Sequence, residues 1–245
     1  MHVSKVRILN ILIPALILSA CSNISDTKTS LAVHHAGALK NFMHKGDISA
    51  KASLDTLESV DLYALGALES LKGELIILDG EPYLSREVDG ELAIEKSYEA
   101  KASLLVYSYT SEWEEHNVRE SVNSLGELES LVEEIAVKQG LNIEKPFPFM
   151  VRGKMDFLKW HVINWPEEDM AHTHEKHKES GLNAAENKIE VTILGFYSRH
   201  HQGIYTHRTS HMHLHVLSDD LTLAGHLDQL IPGNDFKIFL PSVDE

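Results

Sequence analysis

The chain holds a single cysteine, Cys21, so no disulfide can form within it, and the fold must be held by its core or by its core and a metal. Positive charge is scarce as well: 22 Lys and Arg stand against 37 Asp and Glu, a formal net charge of −15. A surface of that sign repels nucleic acid and anionic lipid headgroups, which excludes both as partners for the folded part. It also repels a small anionic substrate at long range, so a site for one needs local positive charge, which a metal ion can supply. Long apolar runs are absent too. Residues 8–18 are apolar apart from Asn10 and Pro14, and are too short to span a bilayer as a permanent helix. There is no internal repeat and no low-complexity tract.

What is present at the N-terminus reads as an export signal. Lys5 and Arg7 precede the apolar stretch, and Leu18-Ser19-Ala20-Cys21 resembles the lipobox of bacterial lipoproteins, in which the cysteine is lipidated and becomes the first residue after cleavage. Residues 1–20 are therefore expected to be a lipoprotein signal peptide, residues 21–30 a polar tether, and residues 31–245 one compact domain. The protein is expected at the cell envelope, anchored only through lipid on Cys21. Cleavage removes two cations and no acid, so the net charge of −15 becomes −17.

Along the domain, residues 31–43 show helical spacing and Gly46 follows. Residues 61–65, 74–79 and 103–109 are strand-like, with Gly66, Gly73 and Gly80 marking turns. Ser124 to Glu127 fits a capping box, and Leu125, Leu128, Leu131, Val132 and Ile135 form one face of a helix that Gly140 ends. Strands are expected at 149–153, 157–163, 189–197, 212–217 and 236–240. Residues 167–187 are charged and rich in histidine, and read as a loop or short surface helix. The fold class is α+β, with mixed and antiparallel sheets, a few helices, and strands dominating the second half.

Sixteen histidines are many for this length, and their placement matters more than their number. In Met212-His213-Leu214-His215-Val216, strand alternation puts His213 and His215 on one face and the apolar residues on the other. Two imidazoles projecting side by side suit two ligands of a tetrahedral ion, although the same spacing also serves two solvent-facing histidines. Ser218-Asp219-Asp220 is a natural turn, and a hairpin there would return His226 beside the pair. Three neutral histidines with an open fourth position make a catalytic arrangement for Zn2+ or another divalent metal. His172, His174 and His177 lie among charges and read as solvated. His207 and His211 precede the histidine motif, and His200, His201 and His211 are candidates for the mouth of a pocket.

Three segments resemble the acetolactate decarboxylases, which convert 2-acetolactate to acetoin and carbon dioxide. One runs from Leu65-Gly66 through Lys72-Gly73-Glu74 to Asp79-Gly80. The second is Gln202-Gly203-Ile204, then His213 to Asp220 and Gly225-His226, with ten residues between the second and third histidines. The third, Val151 to Met155, resembles a strand–glycine–aromatic segment. Together they span residues from about 35 to 241. The resemblance implies His213, His215 and His226 as metal ligands, Glu74 as the active-site glutamate, a small hydroxy-keto acid as substrate, no organic cofactor, and a homodimer.

Two departures stand out. The family arginine that meets the substrate carboxylate aligns with His161, with Arg152 the nearest alternative. His161 is expected to act as a neutral N–H donor, which lacks the bidentate fork of guanidinium. The family's C-terminal acid has only Asp244 or Glu245 as counterparts. These departures keep open a related lyase or isomerase on another hydroxy-keto acid, and a non-catalytic metal-binding lipoprotein. A merely metal-binding protein would have no need of Glu74 beside the ion.

Overall fold

The computed structural model describes residues 31–166, 169 and 171–243; the expected export signal, Cys21 and the tether lie outside these residues, as do Asp244 and Glu245. In chain order come β1 (His34–Ala36), α1 (Leu39–Lys45), β2 (Ala52–Ser53), β3 (Leu62–Leu68), β4 (Glu74–Leu78), β5 (Glu81–Val88), β6 (Glu91–Glu95) and β7 (Lys101–Tyr109). Next are β8 (Trp113–Val118), α2 (Leu125–Gln139), β9 (Phe147–Val162), α3 (His174–Glu179) and β10 (Leu182–Glu186). β11 (Ile189–Tyr197), β12 (Met212–Ser218), β13 (Ala224–Pro232) and β14 (Phe236–Pro241) complete the domain.

These strands form two seven-stranded sheets. The first has the order β1-β7-β3-β4-β5-β6 with β2 on β7; the second runs β11-β12-β13-β9-β14-β8 with β10 on β9. The class is α+β as expected, every ladder between named strands is antiparallel, and strands fill both halves of the chain. β9 explains how the second sheet closes. Two strands were expected there, at 149–153 and 157–163, but Lys154 and Asp156 point outward around a buried Met155, and one 16-residue strand runs through. Its first half pairs with β11 and β14, its second with β13 and β10. Because β11 also pairs with β12 and β12 with β13, the four strands β11, β12, β13 and β9 make a closed circuit.

Residues 31–43 do not form one helix. The edge of β7 takes residues 34–36 as a strand, overriding local helical spacing, and only Leu39–Lys45 coils, ending at Gly46 as expected. The second helix begins at the expected cap: Ser124 Oγ accepts from the Glu127 N–H at 3.2 Å.

Period-two alternation sorts side chains between layers. On β3, Tyr63, Leu65 and Ala67 enter the layer between the sheets, whereas Leu62, Ala64 and Leu68 enter a core on the outer face. On β4, Ile76 faces inward and Leu75 and Ile77 outward, which puts Glu74, two residues before Ile76, on the inward face. Opposite, Met212, Leu214 and Val216 of β12 join α2 residues Leu128, Leu131 and Val132 in a third core. Leu217 joins the inter-sheet layer, so His213 and His215 share its face. β4 packs against both β12 and β13.

Gly225 fixes the seam between β13 and β9. A Cβ there would stand 2.5 Å from the His161 carbonyl oxygen and 3.1 Å from the Trp160 ring. Gly225→Ala should therefore cost about 1–3 kcal/mol through overpacking. Urea unfolding measures this, and an unchanged midpoint would show that the seam is not tightly packed.

Candidate metal and acid–base centre

The site grows from one row of residues. His215 on β12 lies directly opposite His226 on β13, and His226 lies opposite His161 on β9. The hairpin expected after residue 217 forms, and its turn is tied by Ser218 Oγ, which donates to Asp220 Oδ1 at 2.7 Å and accepts from the Leu223 N–H at 2.9 Å. Ring centroids are 5.0 Å apart for His213 and His215, 5.2 Å for His213 and His226, and 5.5 Å for His215 and His226. His161 lies 4.7 Å from His226. The Glu74 carboxylate reaches across from the first sheet, with Oε2 3.7 Å from His215 Nε2.

These groups are buried, and burial sets their charge. His213, His215 and His226 titrate below the ordinary imidazole range, chiefly because burial penalises the cation, with neighbouring imidazoles adding to the effect; for His226 the nearby Asp228 carboxylate opposes it. Glu74 is pushed well above the ordinary carboxylate range by burial, with the charge of Asp228 reinforcing the shift and a hydrogen bond from the Ile163 backbone opposing it. His213 Nδ1, both ring nitrogens of His215 and His226 Nδ1 are buried without a hydrogen-bond partner. Such orphaned nitrogens are costly in a protein interior, and a bound cation is one way to satisfy them.

Asp228 belongs to the site although the sequence reading passed over it. Leu227 pairs with Trp160 and Gln229 with Lys159, so Asp228 is the extra residue of a β-bulge. Its carboxylate faces inward on the same side as His226: Oδ2 accepts from His161 Nδ1 at 2.9 Å, while Oδ1 lies 2.8 Å from Lys178 Nζ and 3.5 Å from His226 Nδ1. Burial alone would raise the pKa of Asp228, but the hydrogen bond from His161 and the nearby His226 imidazole outweigh it and hold the group far below the carboxylate range. The signal was legible as alternation, since residues 226 and 228 share strand parity.

This contact alters the expected part of His161. An ionised Asp228 accepts the Nδ1–H, so a neutral His161 turns a lone pair, not an N–H, toward the cavity through Nε2. Arg152, the alternative to it, is exposed and lies over the Phe239 ring at 5.1 Å, away from the histidines. Among the described residues, the group whose ligand atoms all lie within 4.8 Å of one another, and so could hold a metal, is His161, His226 and Asp228. His213 and His215 lie outside that group, although nitrogens of both are buried without hydrogen-bond partners.

A cavity of about 60 Å³ opens beside this cluster, lined among others by Glu74, His161, His177, His207, His213 and His226. His177 is therefore not solvated, as the charged run around it implied: it is buried, 4.6 Å from the Trp165 ring, and bonded to His172 at 2.8 Å. The side chain of His174 lies outside the described part. His207, for which the sequence carried no such expectation, lines the cavity, 6.0 Å from His226. His211 instead pairs with Glu129 at 2.9 Å, His200 pairs with Glu144 at 3.0 Å, and His201 stacks on Tyr205.

Two antiparallel sheets closing on a buried set of imidazoles and carboxylates define an α+β domain of enzyme-like construction. The sequence profile of the alpha-acetolactate decarboxylase family matches residues 35–240, and the chain belongs to that family. The fold is similar to alpha-acetolactate decarboxylase from Bacillus subtilis strain 168, with a TM-score of 0.69, 15% identity and 86% of each chain covered. Acetolactate decarboxylase from Bacillus subtilis subspecies spizizenii gives 0.70 and 18%, again with 86% of each chain covered. A Staphylococcus aureus protein of unknown function, similar to alpha-acetolactate decarboxylase, gives 0.66 and 16% over 86% of each chain. No curated protein matches the sequence.

The buried histidines make stability depend on pH. A histidine whose folded pKa is lowered contributes stability above its unfolded value and loses it as pH falls, at about 1.4 kcal/mol per pH unit. Glu74 has the opposite sign, since its raised pKa favours the folded state more as pH falls. Three site histidines, joined by His172 and His201, outnumber it. Urea unfolding of the metal-free domain should show stability dropping between about pH 7 and 5.5. A flat or rising profile would mean that the imidazoles are not held neutral.

Proposed function

We propose that this chain is a metal-dependent carboxy-lyase converting 2-acetolactate to acetoin and carbon dioxide, with Zn2+ or a similar ion held by His213, His215 and His226. The observation that carries this reading is the set of buried, partnerless imidazole nitrogens beside Glu74 in a chain of this family. Burial keeps these imidazoles neutral, the form that ligates metal. When bound, the ion supplies Lewis acidity toward the carbonyl and hydroxyl oxygens of the substrate.

The remaining chemistry is that of side chains. Loss of carbon dioxide leaves the bonding electron pair on the adjacent carbon, delocalised into the neighbouring carbonyl, and that carbon must then receive a proton. Glu74 is suited to deliver it, because burial favours its protonated form, and solvent restores the proton afterwards. His161, fixed by Asp228, offers Nε2 as an acceptor for the substrate hydroxyl and so orients it. An acceptor does not bind a carboxylate, which favours, as a second reading, a related hydroxy-keto acid whose anionic group lies elsewhere. Export and lipid attachment through Cys21 belong to the same reading, as does a homodimer.

Purified mature domain should contain about one zinc per chain. Replacing His213, His215 or His226 by Ala should deplete it, whereas Glu74→Gln should keep the metal and lower acetoin formation from 2-acetolactate by about 10²–10⁴-fold. Full metal content in the His213→Ala/His215→Ala variant would place any ion elsewhere. In cells, Cys21→Ser should release the protein from membranes or leave it unprocessed; unchanged membrane fractionation would rule out the lipid anchor.

A further inference from the structure

A second, larger cavity lies in front of the histidine pocket. Its volume is about 370 Å³, within the range of small-molecule sites, and it adjoins the inner cavity, with Leu39, His177 and His207 lining both. One wall is the start of α1 and the other is the segment 203–209. The two walls are clamped by backbone hydrogen bonds: Leu39 N–H donates to the Ile204 carbonyl at 2.8 Å, and Lys40 N–H to the Gly203 carbonyl at 2.9 Å. Across the gap, Arg208 Nη2 lies 3.0 Å from His44 Nε2, which holds the guanidinium at the wall and leaves its other donors unused by that contact.

The charge of this vestibule runs against the rest of the molecule. Acids outnumber bases 37 to 22 in the chain, yet the described residues lining the vestibule include Lys40 and Arg208 and no carboxylate. Neither cation forms an ion pair among the described residues. The inner cavity is the reverse: its lining includes Glu74 but no lysine or arginine.

We propose that the vestibule is a carboxylate-binding subsite, in which Arg208, assisted by Lys40, holds the anionic group of the substrate while its carbonyl and hydroxyl oxygens enter the histidine pocket. This rests on the hydroxy-keto acid reading above and adds to it the residues that select the acid. Guanidinium supplies the planar paired donors that His161 lacks. A local cationic patch on an acidic protein also draws a small anion in against the long-range repulsion. The carboxylate then faces away from Glu74, and carbon dioxide leaves toward the open side.

The test uses the metal-loaded mature domain and two probes that do not react, 2-hydroxyisobutyrate and its uncharged amide, compared by calorimetry. The parent should prefer the acid at least tenfold. Arg208→Gln should reduce that preference at least fivefold, and Arg208→Gln/Lys40→Gln further, with metal content and thermal midpoint unchanged. Arg119→Gln alters net charge equally but lies on the exposed approach to α2, so it should keep the parental ratio. An unchanged ratio in both vestibule variants overturns the proposal, as does a parent with no preference. Acetoin assays on the same samples separate the two readings. An Arg208-dependent preference in a protein that does not turn over 2-acetolactate supports the subsite and defeats the decarboxylase reading. An active parent whose KM is unmoved by Arg208→Gln defeats the subsite alone.

Discussion

The register of β12, β13 and β9 is the constraint on which the site depends. It sets His215 opposite His226 and His226 opposite His161, so three imidazoles from separate strands line up across one sheet. A slip of one residue in any of these strands would turn its histidine toward the core that holds Trp160, Leu214 and Leu227. The apolar half of each strand therefore enforces the polar half. Met212, Leu214 and Val216 seek the core beneath α2, and in doing so they drive His213 and His215 into the layer between sheets. Register shifts at Asp228 and between Ile231 and Pro232 break this regularity only beyond His226, and the Asp228 carboxylate fixes His161.

Burial then divides the ionisable groups by what each can find as a partner. Asp228 keeps its charge because His161 and Lys178 lie within 2.9 and 2.8 Å. Glu74 has a single backbone donor and a neighbouring anion, so its proton is favoured. His213 and His215 are surrounded chiefly by other imidazoles, and burial keeps them neutral. A neutral imidazole set beside a protonated acid is thus a consequence of packing polar side chains between two apolar sheets, and it costs stability that an apolar layer would not.

Much of the centre was legible before the structure. The His-x-His parity, the Ser218-Asp219-Asp220 turn and the return of His226 are local properties, governed by alternation and turn chemistry. Glu74 was legible through a resemblance covering its turn and strand. The rest was not local. The continuity of β9 depends on partners drawn from four other strands, and the conversion of residues 34–36 to strand depends on an edge of β7 some 70 residues away. His177 looked solvated because its sequence neighbours are charged, but α3 turns it onto Trp165. β5, β6 and β8 carry interleaved charges such as Glu87, Glu91 and Glu115, which hid their extended character.

Low identity to the solved decarboxylases, 15–18%, alongside a shared fold has a physical reading in these terms. The sheet register tolerates any apolar residue of suitable size on the core side, so most positions are free to drift. Positions that present polar atoms to the layer between the sheets are not, because a mismatched buried donor or acceptor has nowhere to turn. An arginine in that layer needs a carboxylate or solvent, and at residue 161 the neighbouring Asp228 would meet it. With a histidine there instead, the Asp228 charge is consumed in holding Nδ1, and no fixed cation lines the inner cavity. The positive charge is found one step outward, on α1 and on the 203–209 segment, where exposure lets cations stand without a buried counter-ion. A cation at the rim attracts an anion without the desolvation that a buried guanidinium would suffer.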